Sequence, residues 1–216
     1  KEATGNLDEV KIWDIEEKKN YFKDLEDRRA TVLSSIEKQG KLTEELKAGI
    51  LACYNRNELE DLYLPFKPKR KTKASVALEH GLEPLALYIW DQAGADPVET
   101  FAQSFVNPEK EVPTVEAAIE GALHIVSERI SENPEFRGQL RERMLAEGVV
   151  QAKVVEGKES EKTKYEMYYK FEEAVQRIPS HRMLAIRRGA RENILTFSVN
   201  LDSDKFIADL ISKVVR

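Results

Sequence analysis

A single cysteine, Cys53, stands among 216 residues, with only three histidines, 10 glycines and 8 prolines. One thiol cannot close an internal disulfide, and it leaves a CxxC or Cys/His zinc centre without ligands. So little glycine and proline excludes a collagen-like or low-complexity chain. Long hydrophobic runs are missing too. The longest, Pro84–Trp90, is far short of the about 20 residues that a membrane-crossing helix needs. Nor does positive charge dominate. The 34 basic residues are outnumbered by 39 acidic ones, for a formal net charge of −5, so any grip on a polyanion must come from a local patch. The chain opens at Lys1 with neither Met nor an apolar signal region. It is read as an internal portion of a cytoplasmic protein, monomeric and without a membrane partner.

What is present is apolar residues in helical order. They make up 41% of the chain, enough to bury a core and to exclude wholesale disorder. At roughly 100–200 residues per domain the length allows one large or two small domains. Asn6 and Glu9 form a capping-box pattern, and from Leu7 to Gln39 neither Gly nor Pro occurs. Leu7, Val10, Ile15, Phe22, Leu25, Val32, Leu33 and Ile36 follow helical spacing up to a stop at Gly40. This predicts one long amphipathic helix, with a break near Asn20. A second helix is expected from Thr43 to Tyr54, burying Leu46, Ile50 and Leu51. A third opens at an Asn57/Glu60 capping box and ends at Pro65 and Pro68. Short helices follow over Thr72–His80, Pro84–Gln92 and Pro97–Phe105. Longer ones are predicted from Thr114 to Ser131 and from Pro134 to Glu147.

The pattern then changes. Val149–Val155 reads as a strand, Glu156–Lys164 as a charged loop and Tyr165–Val175 as a helix. Pro179 opens a helix that Gly189 ends, Ile194–Val199 is a second strand, and Asp202 caps a last helix. The expected fold is mainly α: a multi-helix bundle with helical hairpins and a small β-hairpin near residues 149–199. Residues 1–106 are read as an N-terminal helical domain. Residues 107–216 form a second helical segment, incomplete at the chain end, that holds the hairpin.

The densest charge cluster is Lys67, Lys69, Arg70, Lys71 and Lys73. Pro65 and Pro68 hold this stretch extended, so the cations fan out beside Tyr63 and Phe66, a combination suited to a phosphate backbone. The plainer reading is a solvated loop that balances Glu58, Glu60 and Asp61. A second cluster is Arg177, His181, Arg182, Arg187, Arg188 and Arg191. With a helix stop at Gly189 it is diffuse, and several of its arginines are expected to pair with Glu172, Glu173 and Glu192. Of these, Arg182, Arg187 and Arg188 are carried as candidate nucleic-acid contacts. Lys73–Leu87 has workable helix-turn-helix spacing, but Pro84–Trp90 is nearly all apolar, which suits a core helix and not a base-reading one. His80, His124 and His181 lie far apart without metal-ligand spacing, and His124 reads as a hydrogen-bonded core residue. Walker A, GxGxxG and GxSxG signatures are all absent from the sequence. Cys53 is expected buried and unreactive. No catalytic residue, metal or cofactor is expected.

Several ordered stretches resemble the bacterial Tex proteins, the transcription accessory factors. Lys1–Gly5 is similar to the end of that family's RYRKExTG run. Gln39–Leu42 resembles its QGKL signature, and Leu59–Arg70 its LEDLYLPYKPKRRT signature, with Phe66 where Tyr is usual. Gly81–Ala86 follows in place. Ile178–Arg182, Leu184–Ile186 and Arg188–Gly189 resemble the IPSHRxLAxxRG motif, after which Ala190–Asn193 replaces a more usual acidic residue and later Gly. The resemblance implies the helical N-terminal part of a multidomain factor that binds nucleic acid and affects transcription. The family's ribonuclease-H-like, helix-hairpin-helix and RNA-binding S1 domains fall outside this chain. The expected function is a scaffold that binds RNA or DNA by its backbone, independent of sequence, through the basic stretch and positions those other domains. The alternative is a protein-interaction module for RNA polymerase or another transcription partner, without nucleic-acid contact.

Overall fold

A computed structural model describes residues 8–68, 70–94 and 96–215. The fold is mainly α. In chain order the described residues form α1 (Glu9–Lys38), α2 (Glu44–Ala52), α3 (Arg56–Tyr63), α4 (Lys73–Glu79), α5 (Glu83–Asp91), α6 (Val98–Ala102), α7 (Val115–Ser131) and α8 (Pro134–Glu147). These are followed by β1 (Val149–Val154), β2 (Lys170–Ala174), α9 (Ser180–Arg191), β3 (Leu195–Asn200) and α10 (Ser203–Val214). The chain divides into two compact units, residues 1–134 and 135–216. Residues 107–134, grouped with the later segment on sequence, supply the central helix of the first unit.

Two apolar clusters fill that unit. In the first, Leu25, Val32 and Ile36 of α1 meet Ile50, Cys53, Leu59 and Tyr63. Their spacing, with Arg29 between, is one face of a 3.6-residue period. Arg29 is buried in that stripe because its guanidinium is satisfied at two nitrogens: Nη1 pairs with Glu26 at 2.7 Å and Nη2 donates to the Cys53 carbonyl at 2.6 Å. Cys53 is the C-cap residue of α2, so the guanidinium sits at a helix carboxyl end, where a cation is favoured. Only the second half of α1 is buried this way; Val10, Trp13, Ile15 and Phe22 remain exposed. The second cluster is built around α7. Ala118, Ala122 and Gly121 leave room for Ala77, Leu82, Leu85 and Ala86 of the α4–α5 region. A Cβ at Gly121 would come within 2.4 Å of Leu82 Cδ1.

The second unit is built on a three-stranded antiparallel sheet, order β2–β1–β3. Val150, Ala152 and Leu195 point to one face, where they pack with Tyr165, Tyr168 and Ile186 of α9. The opposite face carries Gln151, Lys153, Thr196 and Ser198, the polar half of a period-two pattern.

Several sequence expectations are corrected here. The long helix starts at Glu9, where the Asp8 carboxylate accepts the Lys11 N–H at 2.8 Å; Asn6 lies outside the described residues. It runs unbroken past Asn20. Leu51 is exposed while Ile50 is buried. Asn55, not Asn57, caps α3, its side-chain oxygen accepting the Asn57 N–H at 2.8 Å. Residues 165–175 are not a helix. Tyr165, Tyr168 and Tyr169 are spaced as a helical face would be, but a single 3-10 turn leads into β2, because β1 offers an edge for pairing. The expected hairpin is therefore a three-stranded sheet.

Gly189 does not end α9. The helix continues to Arg191, and the left-handed residue is Asn193, at φ 56°. There Ile194 N–H reaches the Gly189 carbonyl and Asn193 N–H the Ala190 carbonyl, a Schellman closure. Gly189 is a packing residue: a Cβ there would meet Leu195 Cδ1 at 2.7 Å and Tyr165 at 3.3 Å.

Candidate nucleic-acid interface

The basic segment is fixed at both ends. After α3, Leu64–Phe66 forms a 3-10 turn with Pro65 in its first positions, and Lys67 then turns extended at φ −68°, ψ 130°. Pro65 thus belongs to a turn and does not extend the chain as expected; extension begins at Lys67. Gln39 Nε2 clamps the turn by donating to the Phe66 carbonyl at 2.8 Å. At the far end Thr72 caps α4 in a reciprocal box: Ser75 N–H donates to Thr72 Oγ1 at 3.0 Å, and Thr72 N–H to Ser75 Oγ at 2.8 Å. The Thr72 hydroxyl also reaches Glu128 at 3.1 Å.

Between these anchors Lys67, Arg70, Lys71 and Lys73 are all exposed. Lys69 lies outside the described residues. Lys71 pairs with Glu79 at 3.2 Å, both side chains more than three-fifths exposed. Such an open pair is worth roughly 0–1 kcal/mol, too little to keep a phosphate out. Lys67, Arg70 and Lys73 have no carboxylate within ion-pair distance among the described residues, although Lys67 lies near enough to Glu60 to help lower its pKa.

Glu60 is held chiefly by Arg28, whose Nε and an Nη donate to the two carboxylate oxygens at 2.6 and 2.9 Å. That hydrogen bonding puts the Glu60 pKa below the usual carboxylate range. Of the three acidic neighbours weighed against the basic segment, Glu60 is thus already engaged by α1. Because the folded-state value is depressed, the stabilisation is present above the unfolded carboxylate range and is lost as pH falls through the lowered value. A double-mutant cycle of Arg28→Met with Glu60→Gln should give a coupling of roughly 0.2–1 kcal/mol near neutrality. The coupling should vanish in acid. A coupling that persists there would refute the assignment.

The second cluster lies in the other unit. Arg182 pairs with Glu173 at 2.8 Å, whereas Glu172 accepts from Gln151 and Glu192 from Lys164. Arg187, Arg188 and Arg191 are exposed. Since α9 runs through Gly189, Arg187 and Arg191 stand one turn apart, closer than the sequence suggested. Two lysines join them without any signal in the sequence: Lys158 Nζ donates to the Asn193 carbonyl at 2.9 Å, and Lys164 pairs with Glu192 at 3.2 Å. Both come from the charged loop after β1 and complement the carboxyl end of α9.

The histidines are not all scattered. His80 and His124 line one cleft of about 240 Å³ with Lys73, His80 Nε2 standing 3.6 Å from Glu111 and His124 Nε2 3.7 Å from Glu120. Among the described residues no group of three His, Cys, Asp or Glu side chains is arranged to hold a metal ion. Cys53 is buried, and desolvation raises its thiol pKa. No described helix is long and apolar enough to cross a membrane.

Residues 93–214 match the Tex central region-like family model, and residues 1–37 the Tex-like protein N-terminal domain. The chain belongs to the Tex family. It is 44% identical over 204 residues to the transcriptional accessory protein Tex of Neisseria gonorrhoeae, covering 94% of this chain and 27% of that protein. The uncharacterized protein YdcI of Bacillus subtilis is 41% identical over 217 residues, covering 100% of this chain and 30% of its own length. The human S1 RNA-binding domain-containing protein 1 is 28% identical over 209 residues, covering 93% of this chain and 21% of its length. This Tex-family chain therefore spans under a third of the curated relatives it matches.

Proposed function

We propose that the chain is a helical, non-catalytic scaffold of a cytoplasmic transcription accessory factor, one that grips RNA or DNA by its phosphate backbone and positions further domains. Lys67, Lys69, Arg70, Lys71 and Lys73 make the main contact, and Arg182, Arg187 and Arg188 a lesser one. The observation that carries this reading is the anchored basic segment, in which Lys67, Arg70 and Lys73 stand exposed and without a described carboxylate partner. Family membership supports a transcription role.

Binding is independent of base sequence, since the apolar α5 offers no polar reading face. Fluorescence anisotropy with single-stranded and duplex oligonucleotides over a range of salt tests this. Five phosphate contacts give log–log slopes of about −3.5 on single strands and −4.5 on duplex. The rival, in which the chain contacts only proteins such as RNA polymerase, predicts a slope near zero, and that result would overturn the proposal.

A further inference from the structure

The three-stranded sheet has two edges of unlike chemistry. On β2, Lys170, Glu172 and Glu173 put charge on three of five residues, which keeps an edge from pairing with another chain. On β3, the residues Leu195 to Asn200 carry neither charge nor proline, in a chain that is 34% charged. The hydrogen-bond alternation fixes which groups of β3 are free. Val155 N–H donates to the Ile194 carbonyl at 2.9 Å, so Thr196, Ser198 and Asn200 are the residues bonded to Lys153, Gln151 and Val149. The N–H and C=O groups of Leu195, Phe197 and Val199 therefore point away from β1, and among the described residues no other strand pairs with them. Phe197 and Val199 share the face of Ala152 and Val150, yet they keep 39% and 37% of their surface in water. An open ladder beside wet apolar side chains is a template for one more strand.

The sequence of β3 selects the occupant. Outward from Phe197 it reads alike in both directions: Thr196 mirrors Ser198 and Leu195 mirrors Val199. We propose that the chain forms a two-fold dimer in which β3 pairs antiparallel with β3 of a second copy, Phe197 opposite the partner's Phe197. Leu195 then faces the partner's Val199, and Thr196 the partner's Ser198, the reciprocal pattern that a two-fold axis requires. The outward-facing residues become the bonded pairs, so each of their free N–H and C=O groups finds a partner. Hydroxyls meet hydroxyls on one face of the joined sheet, while the aromatic pair and its aliphatic neighbours cover one another on the other. This dimer replaces the monomer expected from the sequence. It does not rest on the phosphate-binding reading, whose main basic segment belongs to the other unit.

Sedimentation velocity on the full chain should show the mass rising towards twice the monomer between about 1 and 300 µM, as suits an interface below the standard size. Over that range amide exchange at Phe197 and Val199 should slow by about 3-fold or more, while Thr196 and Ser198, already bonded to β1, stay slow throughout. Val199→Pro removes only an outward N–H and spares the β1 ladder, and Phe197→Lys puts a charge on the two-fold axis. Each should stay monomeric at every concentration, with circular dichroism unchanged. Phe197→Glu should do the same alone. Mixed in equal amounts with Phe197→Lys, it should associate about 5-fold more tightly than either variant by itself, because opposite charges then stand directly opposed. A wild-type chain that remains monomeric overturns the proposal and leaves the edge to a strand of another protein. So does a dimer that Val199→Pro and Phe197→Lys leave intact, or a mixture no tighter than its components.

Discussion

Charge reversal of Lys67, Arg70 and Lys71 to glutamate is expected to lower single-strand affinity by about 100-fold at 0.1 M salt and to make the salt slope shallower by about 2. Each phosphate contact contributes about 0.7 to that slope on single strands, so three lost contacts at 0.1 M amount to roughly two orders of magnitude. Repulsion from the new carboxylates adds to the loss. Folding should be preserved, because all three side chains are exposed and none belongs to either apolar cluster. The single ion pair removed, Lys71 with Glu79, is an open one. Far-UV circular dichroism and the thermal midpoint serve as the controls, and anisotropy is the readout. Glu79→Gln works in the other direction: freeing Lys71 should strengthen binding slightly. Unchanged affinity in the triple variant, with the fold intact, would move the function to the protein-interaction alternative.

The other large effect concerns stability. Gly189→Ala is expected to destabilise the second unit by roughly 1–3 kcal/mol, the range for overpacking a filled interior. Helix propensity alone predicts the reverse, since alanine is favoured over glycine by about 1 kcal/mol inside a helix. Packing wins because the added methyl would sit 2.7 Å from Leu195 Cδ1, and Leu195 is itself buried beside Tyr165. Gly49→Ala is the internal contrast. Gly49 lies in α2 with nothing within 4 Å of an added Cβ, so that substitution should gain about 0.5–1 kcal/mol. Urea unfolding separates the two. The midpoint should rise with Gly49→Ala and fall with Gly189→Ala. Circular dichroism should register both. A neutral or stabilising Gly189→Ala would refute the close approach of α9 to β3.

Much of the architecture was legible because local chemistry agreed with it. Thr43, Thr114 and Asp202 cap their helices as their side chains predict, and Pro84 and Pro134 open theirs. Where local signals competed, tertiary contacts decided. The tyrosines at 165, 168 and 169 mimic a helical stripe, but β1 needed a partner on both edges. Gly189 carries the composition of a helix stop, but its lack of a side chain serves the sheet. The candidate site shows the same division. The cations at 67–73 are visible as composition, yet that Arg28 engages Glu60, thirty-two positions away, has no local signature. Nor has the gathering of Lys158 and Lys164 at the end of α9.

The order of residues alone determined the helical class, the caps at Thr43, Thr114 and Asp202, the basic stretch and the family, since each depends on neighbours within a few positions. Only the folded chain decided which carboxylates are occupied, which glycine is a contact and which leucines stay wet. Those properties belong to pairs of residues brought together by packing, and no periodicity along one strand of sequence encodes the distance between them.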